Sequence, residues 1–347
     1  MSDPTADRLA ALVRACRGRR VAVIGDLLAD EFIYGRVERV SREAPVLILR
    51  YHHTIVVPGG AGNAAANVAA LGGEVGLAAL VGRDDVGRRL LKSFPTRVSR
   101  AAILRPAGYH TPVKTRILAG GIHSAKQQVV RIDRIRSTGP TDRTRIQFLA
   151  AARRAVAAAD AVIVSDYGSG LVTPALVDDL RRRTRRDIPF LLDSRHDTLK
   201  YRGLTACTPN ESEVEQMLGI EIDDDAGRLE RAGRTLLKRT GMKAVVITRG
   251  SRGMAIFEPG GPTTHLPIYG SDEIADVTGA GDTVIATVTL ALAAGASLVD
   301  AARLANYAGG LVVMKRGTAT VSSDELRAAI RPPSRSRASA RRAHQPD

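Results

Sequence analysis

At 347 residues, 44% of them hydrophobic, the chain is long enough to bury a large core as one α/β domain with a smaller appendage. Two cysteines, Cys16 and Cys207, exclude a disulfide framework and have no metal-ligand spacing, which fits a reducing cytoplasm. No apolar run approaches the ~20 residues of a membrane helix, the N-terminus lacks a signal-peptide core, and the net charge of +15 is almost all arginine.

Residues 1–19 read as an N-terminal extension or helix, and the folded region as 20–331. Arg20 to Ile24 is a buried strand ending at Gly25-Asp26, and ligands in open α/β sheets gather at such strand ends. Residues 32–57 mix β-branched and polar side chains without a helical period, so short antiparallel strands are expected. Gly59-Gly60-Ala61-Gly62-Asn63 opens an Ala-rich helix to about Leu71. A strand at Glu74–Val81 and a helix at Asp85–Ser93 follow. Thr111–Leu118 and Gln127–Asp133 read as a second exposed strand pair. A helix from about Thr141 to Ala159 and a strand at Ala161–Ser165 restore the alternation. Pro174 is placed as the first residue of a helix. Short strands are predicted at Phe190–Leu192, Thr205–Thr208, Ala244–Thr248 and Met254–Phe257. Two helices after Thr278 divide near Gly295, and a short one covers Ser323–Ile330.

This alternation predicts a three-layer α/β fold with a mostly parallel central sheet covered on both faces. The two β-rich interruptions, about 32–57 and 108–135, are read as one small β-sheet lid. Residues 332–347, Arg- and Ser-rich, read as a disordered basic tail. Without stacking aromatics in a nucleic-acid motif, the positive charge is read as a solvated surface that attracts anionic metabolites.

Four segments could carry chemistry. Asp276-Val277-Thr278-Gly279-Ala280-Gly281-Asp282 leads into an apolar helix. A glycine-rich helix start aims backbone N–H groups and the helix dipole at one point, which suits a phosphate. Asp282 beside it is a candidate base for phosphoryl transfer to a hydroxyl. Pro58 to Asn63, with Asn67 one turn later, reads either as a capped helix start or as a backbone-rich surface open to a polyol. Thr208-Pro209-Asn210-Glu211-Ser212-Glu213 has capping-box spacing from Asn210 to Glu213. The same amide and carboxylate could instead order water around Mg²⁺. Thr248-Arg249-Gly250-Ser251-Arg252-Gly253 is a cationic turn at a strand end, suited to nucleotide phosphates or to a plain hairpin. His52, His53, His110, His123, His196 and His265 show no metal spacing.

Together these segments resemble the ribokinase/PfkB family of ATP-dependent carbohydrate kinases over about residues 20–330. The resemblance implies a ribokinase-like fold, ATP and Mg²⁺ as cofactors, and Asp282 as base. It implies an anion hole from the N–H groups of Gly279, Ala280 and Gly281. Asp26, Gly59, Gly60, Asn63 and Asn67 would bind the sugar. The nucleotide would lie along Asn210, Glu211, Ser212, Glu213, Thr248, Arg249, Gly250 and Gly253, with adenine toward Asn306; Asn210 and Glu213 would hold the metal through water. Ser41-Arg42-Glu43-Ala44-Pro45, Ser165-Asp166-Tyr167 and Tyr201-Arg202-Gly203 narrow the resemblance to the kinase half of the bacterial heptose-phosphate enzymes. That implies D-glycero-β-D-manno-heptose 7-phosphate as acceptor, with Arg42, Lys114 and Arg116 as candidates for its phosphate. It also implies a homodimer through the lid. No His-x-x-Gly-His-type motif is present, so a separate nucleotidyltransferase is expected. Asp193-Ser194-Arg195-His196 departs from an expected Asp-Pro-Lys-Gly, Arg42 from a Pro, and Ser169 from a Lys. A same-fold kinase for fructose, ribose or a sugar acid, and a non-catalytic sugar-binding protein, are the alternatives.

Overall fold

The computed structural model describes residues 3–120, 126–135, 139–185, 187–270 and 276–331. The tail at 332–347 and His123 lie outside them. The strands are β1 (Arg20–Gly25), β2 (Leu27–Val40), β3 (Leu47–Gly60), β4 (Glu74–Leu80), β5 (Val98–Ser99), β6 (Ile103–Leu104) and β7 (Val113–Gly120). They continue with β8 (Gln127–Arg134), β9 (Ala161–Asp166), β10 (Phe190–Ser194), β11 (Ala206–Cys207), β12 (Ala244–Thr248), β13 (Met254–Phe257) and β14 (Thr264–Leu266). The helices are α1 (Pro4–Ala15), α2 (Ala61–Ala70), α3 (Asp85–Ser93), α4 (Asp142–Val156) and α5 (Pro174–Arg183), then α6 (Glu211–Leu218), α7 (Ala226–Thr240), α8 (Ala280–Ala293), α9 (Leu298–Val313) and α10 (Ser323–Ile330).

The large sheet runs β14-β13-β12-β11-β10-β9-β1-β4-β5, parallel from β12 to β5. β13 and β14 form an antiparallel edge. Alternation along the strands sorts two cores. Val21 and Val23 of β1 face α1, α2, α8 and α9, whereas Ala22 and Ile24 face α4, α5 and α7. Parallel strands covered on both faces carry apolar residues at every position, and β9 is buried throughout. The helix α7, unassigned from the sequence, lays Leu229, Ala232 and Leu236 into the second core.

The lid is a separate four-stranded sheet in the order β3-β2-β7-β8. Its strands differ from the expected short antiparallel set. β2 and β3 are each 14 residues long, and the central β2–β7 pair is parallel. β2 starts one residue after Asp26, and β3 runs into Gly60, which caps α2. The lid strands are thus continuous with the elements under the large sheet's C-terminal edge. No described helix is long and apolar enough to cross a membrane.

Candidate active site

Gly279 begins α8 in a left-handed conformation, φ 81°, and a Cβ there would lie 2.4 Å from Asn63 Nδ2. Only glycine tolerates both demands. Asp276 shapes the turn, accepting from the N–H of Thr278 at 2.9 Å and of Gly317 at 3.0 Å. Among the described residues no side chain caps the helix. The Ala280 N–H donates to the Val277 carbonyl at 3.2 Å, which differs from its expected part in an anion hole. Among the described residues the N–H groups of Gly279, Gly281 and Asp282 have no partner. The open set therefore exchanges Ala280 for Asp282, because Ala280 closes the turn itself.

Asp282 is buried one turn into this helix, and both its oxygens are engaged. Asn63 Nδ2 donates to Oδ2 at 2.8 Å, and the Tyr167 hydroxyl donates to Oδ1 at 3.1 Å. Asn67 Nδ2 donates to Asn63 Oδ1 at 3.1 Å, and the Thr283 hydroxyl donates to Asn67 Oδ1 at 3.1 Å. Asn63 and Asn67, expected at the sugar, form a chain that orients the carboxylate. Burial pushes the Asp282 carboxyl up to about 6, against the opposing pull of the Asn63 and Tyr167 hydrogen bonds. A carboxyl poised there is ionised at neutral pH and basic enough to take a hydroxyl proton in a transfer.

Asp26 at the end of β1 is likewise buried. It accepts from the Tyr167 N–H at 2.8 Å and from the Ser169 hydroxyl, so it ties down the 167–169 loop. Both oxygens expected to meet sugar hydroxyls are bonded within the protein. Asp30, an acid that the sequence reading passed over, lies four residues further on, in β2. It pairs with Arg116 and accepts from the Thr318 hydroxyl at 3.3 Å. A Cβ at Gly59 would meet Asp30 Oδ2 at 2.5 Å, so the glycine pair lets β3 pass this acid closely. The period-two spacing from Asp26 to Asp30 could not say which of them the strand turns toward the site.

A cleft of about 460 Å³ opens beside Asp282. Gly279 to Asp282 form one wall. Thr208, Asn210, Glu213, Thr248, Gly250 and Gly253 form another, and Asn306, Gly309 and Gly310 a third. Asn306 lines it with its amide nitrogen donating to the Pro267 carbonyl at 2.7 Å. Gly309-Gly310, late in α9 and unnoticed in the sequence, also line it, and a Cβ at Gly310 would lie 2.0 Å from the Tyr269 carbonyl oxygen, so glycine lets that segment pass. Three expected nucleotide residues lie off the lining. Arg249 Nε pairs with Glu211 Oε2 at 2.9 Å, Arg252 takes the other Glu211 oxygen, and Ser212 is exposed. Both cations of the 248–253 turn, Arg249 and Arg252, therefore serve Glu211 at the start of α6.

Asn210 and Glu213 form a complete capping box, with Asn210 Oδ1 accepting from the Glu213 N–H at 2.8 Å and Glu213 Oε2 from the Asn210 N–H at 2.9 Å. The cap and the cleft-facing role coincide, because Glu213 Oε1 remains, 3.9 Å from Arg195. Among the described residues Thr208 Oγ1, on the same wall, is buried without a partner. One carboxylate oxygen, engaged only in a long ion pair with Arg195, and one orphaned hydroxyl fit a cation that keeps most of its waters. No cluster of three acidic, His or Cys side chains that could cage a metal occurs among the described residues. Asp193, behind Glu213, is pushed up to about 8 by burial and by the neighbouring Asp282 and Glu213 charges.

The family model described as "pfkB family carbohydrate kinase" matches residues 19–325. Three curated relatives share the name "Bifunctional protein HldE". That of Trichlorobacter lovleyi is 40% identical over 311 residues, covering 89% of this chain and 62% of the relative. That of Geobacter sulfurreducens is 43% identical over 310 residues, 88% and 61%. That of Caulobacter vibrioides is 42% identical over 328 residues, 93% and 65%. The chain thus spans less than two thirds of these relatives. Among solved structures, Escherichia coli phosphofructokinase-2 in complex with substrates and products superposes with a TM-score of 0.71 at 18% identity, covering 90% of this chain and 98% of that one. Arabidopsis thaliana ribokinase complexed with ribose and ATP gives 0.69 at 18% identity, 90% and 99%. At that identity the likeness establishes the ribokinase-like fold.

Proposed function

We propose, for a chain that belongs to the pfkB family of carbohydrate kinases, that its reaction is ATP-dependent phosphorylation of the anomeric hydroxyl of D-glycero-β-D-manno-heptose 7-phosphate, giving the 1,7-bisphosphate. The observation that carries the catalytic part is the buried Asp282 carboxylate, held by Asn63 and Tyr167 beside three N–H groups at a helix start that have no partner among the described residues. The heptose follows from the Ser-Arg-Glu-Ala-Pro segment at 41–45, from Ser165-Asp166-Tyr167, and from identity near 40% to the HldE proteins.

The acceptor sits between the lid and α2, over Gly59, Gly60 and Asp30, with its reacting hydroxyl at Asp282. Asp282 takes the hydroxyl proton as the phosphoryl group transfers in line. Charge growing on that group meets the N–H groups of Gly279, Gly281 and Asp282, donors fixed before the reaction and worth about 3–4 kcal/mol each in comparable sites. The nucleotide lies along Thr248, Gly250 and Gly253, with its base against Gly309, Gly310 and Asn306. Glu213 and Thr208 would hold Mg²⁺ through its waters, and the cation would neutralise phosphate charge there.

A homodimer through the lid fits the outer strand β8, all of whose residues are exposed, including Val129, Val130 and Ile132. An open strand edge with apolar side chains calls for a partner. The function is tested by ADP release with a panel of sugars and sugar phosphates. Preference for the heptose 7-phosphate supports it. Preference for fructose, ribose or a sugar acid moves the reading to another sugar kinase, and no release with any acceptor to a sugar-binding protein.

A further inference from the structure

A second cavity, of about 560 Å³, opens at the end of the parallel strands opposite the cleft. Phe190 starts β10, Thr205 directly precedes β11 and Lys243 directly precedes β12, and all three line it. The far ends of the same strands bear Asp193, Thr208 and Thr248 of the cleft. β10 is parallel to β11 and β11 to β12, so the cavity gathers their starts and the cleft their ends. The five residues of β10 hold the two apart by roughly 16 Å.

Four cations and one acid line this cavity. Arg181, Arg182 and Arg185 lie at or just beyond the end of α5, Lys243 enters from the loop between α7 and β12, and the acid is Asp178. The helix dipole accounts for arginines in a last turn, but not for Lys243 converging on them. Arg181 is half-buried, and its guanidinium donates to the carbonyls of Arg202 at 3.0 Å and Gly203 at 2.7 Å, which fix it without neutralising it. Arg185 has a long ion pair with Asp160, 3.8 Å. Among the described residues the side chains of Arg182, Lys243 and Asp178 have no hydrogen bond or ion pair. Even with Asp160 counted against Arg185, four cations face two acids. The Thr205 hydroxyl accepts from the Phe190 N–H at 2.9 Å, and its own proton has no acceptor among the described residues.

Like charges brought to one concave site repel each other, and a bound anion relieves them. The excess of positive charge calls for an anion with more than one negative charge. Guanidinium, ammonium and hydroxyl donors suit phosphate oxygens, and the volume is within the ~300–1,000 Å³ of small-ligand pockets. We infer that this cavity is an anion site separate from the catalytic one, taking a small molecule with a diphosphate group on Arg181, Arg182, Lys243 and Thr205. It stands apart from the kinase reading, because the cavity and the cleft have no lining residue in common.

The test titrates inorganic pyrophosphate and ADP into the full chain by calorimetry at fixed ionic strength. It compares the wild type with Arg182→Glu/Lys243→Glu, both exposed positions, and with the control Arg14→Glu/Arg143→Glu, which changes the net charge equally on exposed residues outside cavity and cleft. Melting temperatures check each fold, and Arg182→Gln/Lys243→Gln serves where the charge reversal does not fold. Pyrophosphate should bind the wild type and the control at two places per chain, cleft and cavity. The cavity variant should keep one, the other weakened about 100-fold or more by loss of two charge-assisted contacts. Two ADP per wild-type chain and one per cavity variant would make the ligand a nucleotide. One ADP in both, with a pyrophosphate still lost, would make it a diphosphate without a nucleoside. Equal loss in the control assigns the binding to the overall charge and overturns the site. So does a cavity variant that binds pyrophosphate as the wild type does. Should the kinase reading fail, the cleft's pyrophosphate drops out, and the one removed by the cavity variant remains.

Discussion

Asn63 Nδ2 donates to Asp282 Oδ2 at 2.8 Å, joining the first turn of α2 to the first turn of α8. A residue expected at the sugar instead steadies the base, and its own carbonyl oxygen is fixed by Asn67. Replacing Asn63 with Leu removes a donor that favours the ionised carboxylate. The acidic limb of the kcat/KM profile, expected near the Asp282 value of about 6, should move to higher pH, and turnover at pH 7 should fall about 10- to 100-fold. An unmoved limb would detach Asn63 from the base.

Asp282→Asn should lower kcat by about 10²- to 10⁴-fold while leaving ATP binding near normal, as loss of a general base does. The same substitution should stabilise the fold. An acid raised from 3.8 to about 6 binds its proton more tightly folded than unfolded. Its destabilising effect is therefore absent below pH ~3.8, grows as pH rises to ~6, and reaches at most about 3 kcal/mol above that. Urea unfolding should show the variant more stable at pH 8 and no different at pH 4.

Gly279→Ala combines left-handed backbone with a methyl pressed on Asn63 Nδ2. Backbone strain alone predicts a loss of about 1–2 kcal/mol, visible in thermal unfolding. Displacement of Asn63 predicts a drop in kcat larger than this stability loss would bring. Normal turnover would mean that the turn is only structural.

Arg249→Met leaves the buried Glu211 with Arg252 as its remaining cation. We expect destabilisation of about 1–3 kcal/mol, the range for a buried group losing one partner, with KM for ATP within about threefold of wild type. A KM for ATP raised tenfold or more would return Arg249 to the nucleotide.

Ile132→Lys places a charge on the open face of β8. If two lids pair in solution, sedimentation should show the wild type as a dimer at micromolar concentration and the variant as a monomer. A monomeric wild type would remove the shared lid.

Much of the layered fold was legible because its signals are local. Apolar runs such as Ala161 to Ser165 mark strands buried on both faces, and the Gly279–Asp282 box marks a helix start next to a carboxylate. Pairings over long separations were not legible. Nothing near Arg249 in the sequence says that Glu211 will claim it, and nothing near Ser169 says that it will close Asp26. The lid misled in another way. Its strands are long because β2 and β3 pair with each other from Leu27↔Gly60 out to Val40↔Leu47, and composition does not mark how far such a pairing runs. The helix α7 did carry a readable period in Leu229, Ala232 and Leu236, beneath an Arg-rich surface.

β3 ends at Gly60, and three residues later Asn63 grips the base. A shift of this strand against the large sheet is passed by covalent bonds to the amide that aims Asp282. In the proposed kinase, sugar capture that moved this strand would in the same stroke align the proton acceptor. Water reaching the nucleotide with the strand displaced would find the carboxylate pointed elsewhere, a guard against idle ATP hydrolysis that requires no additional part.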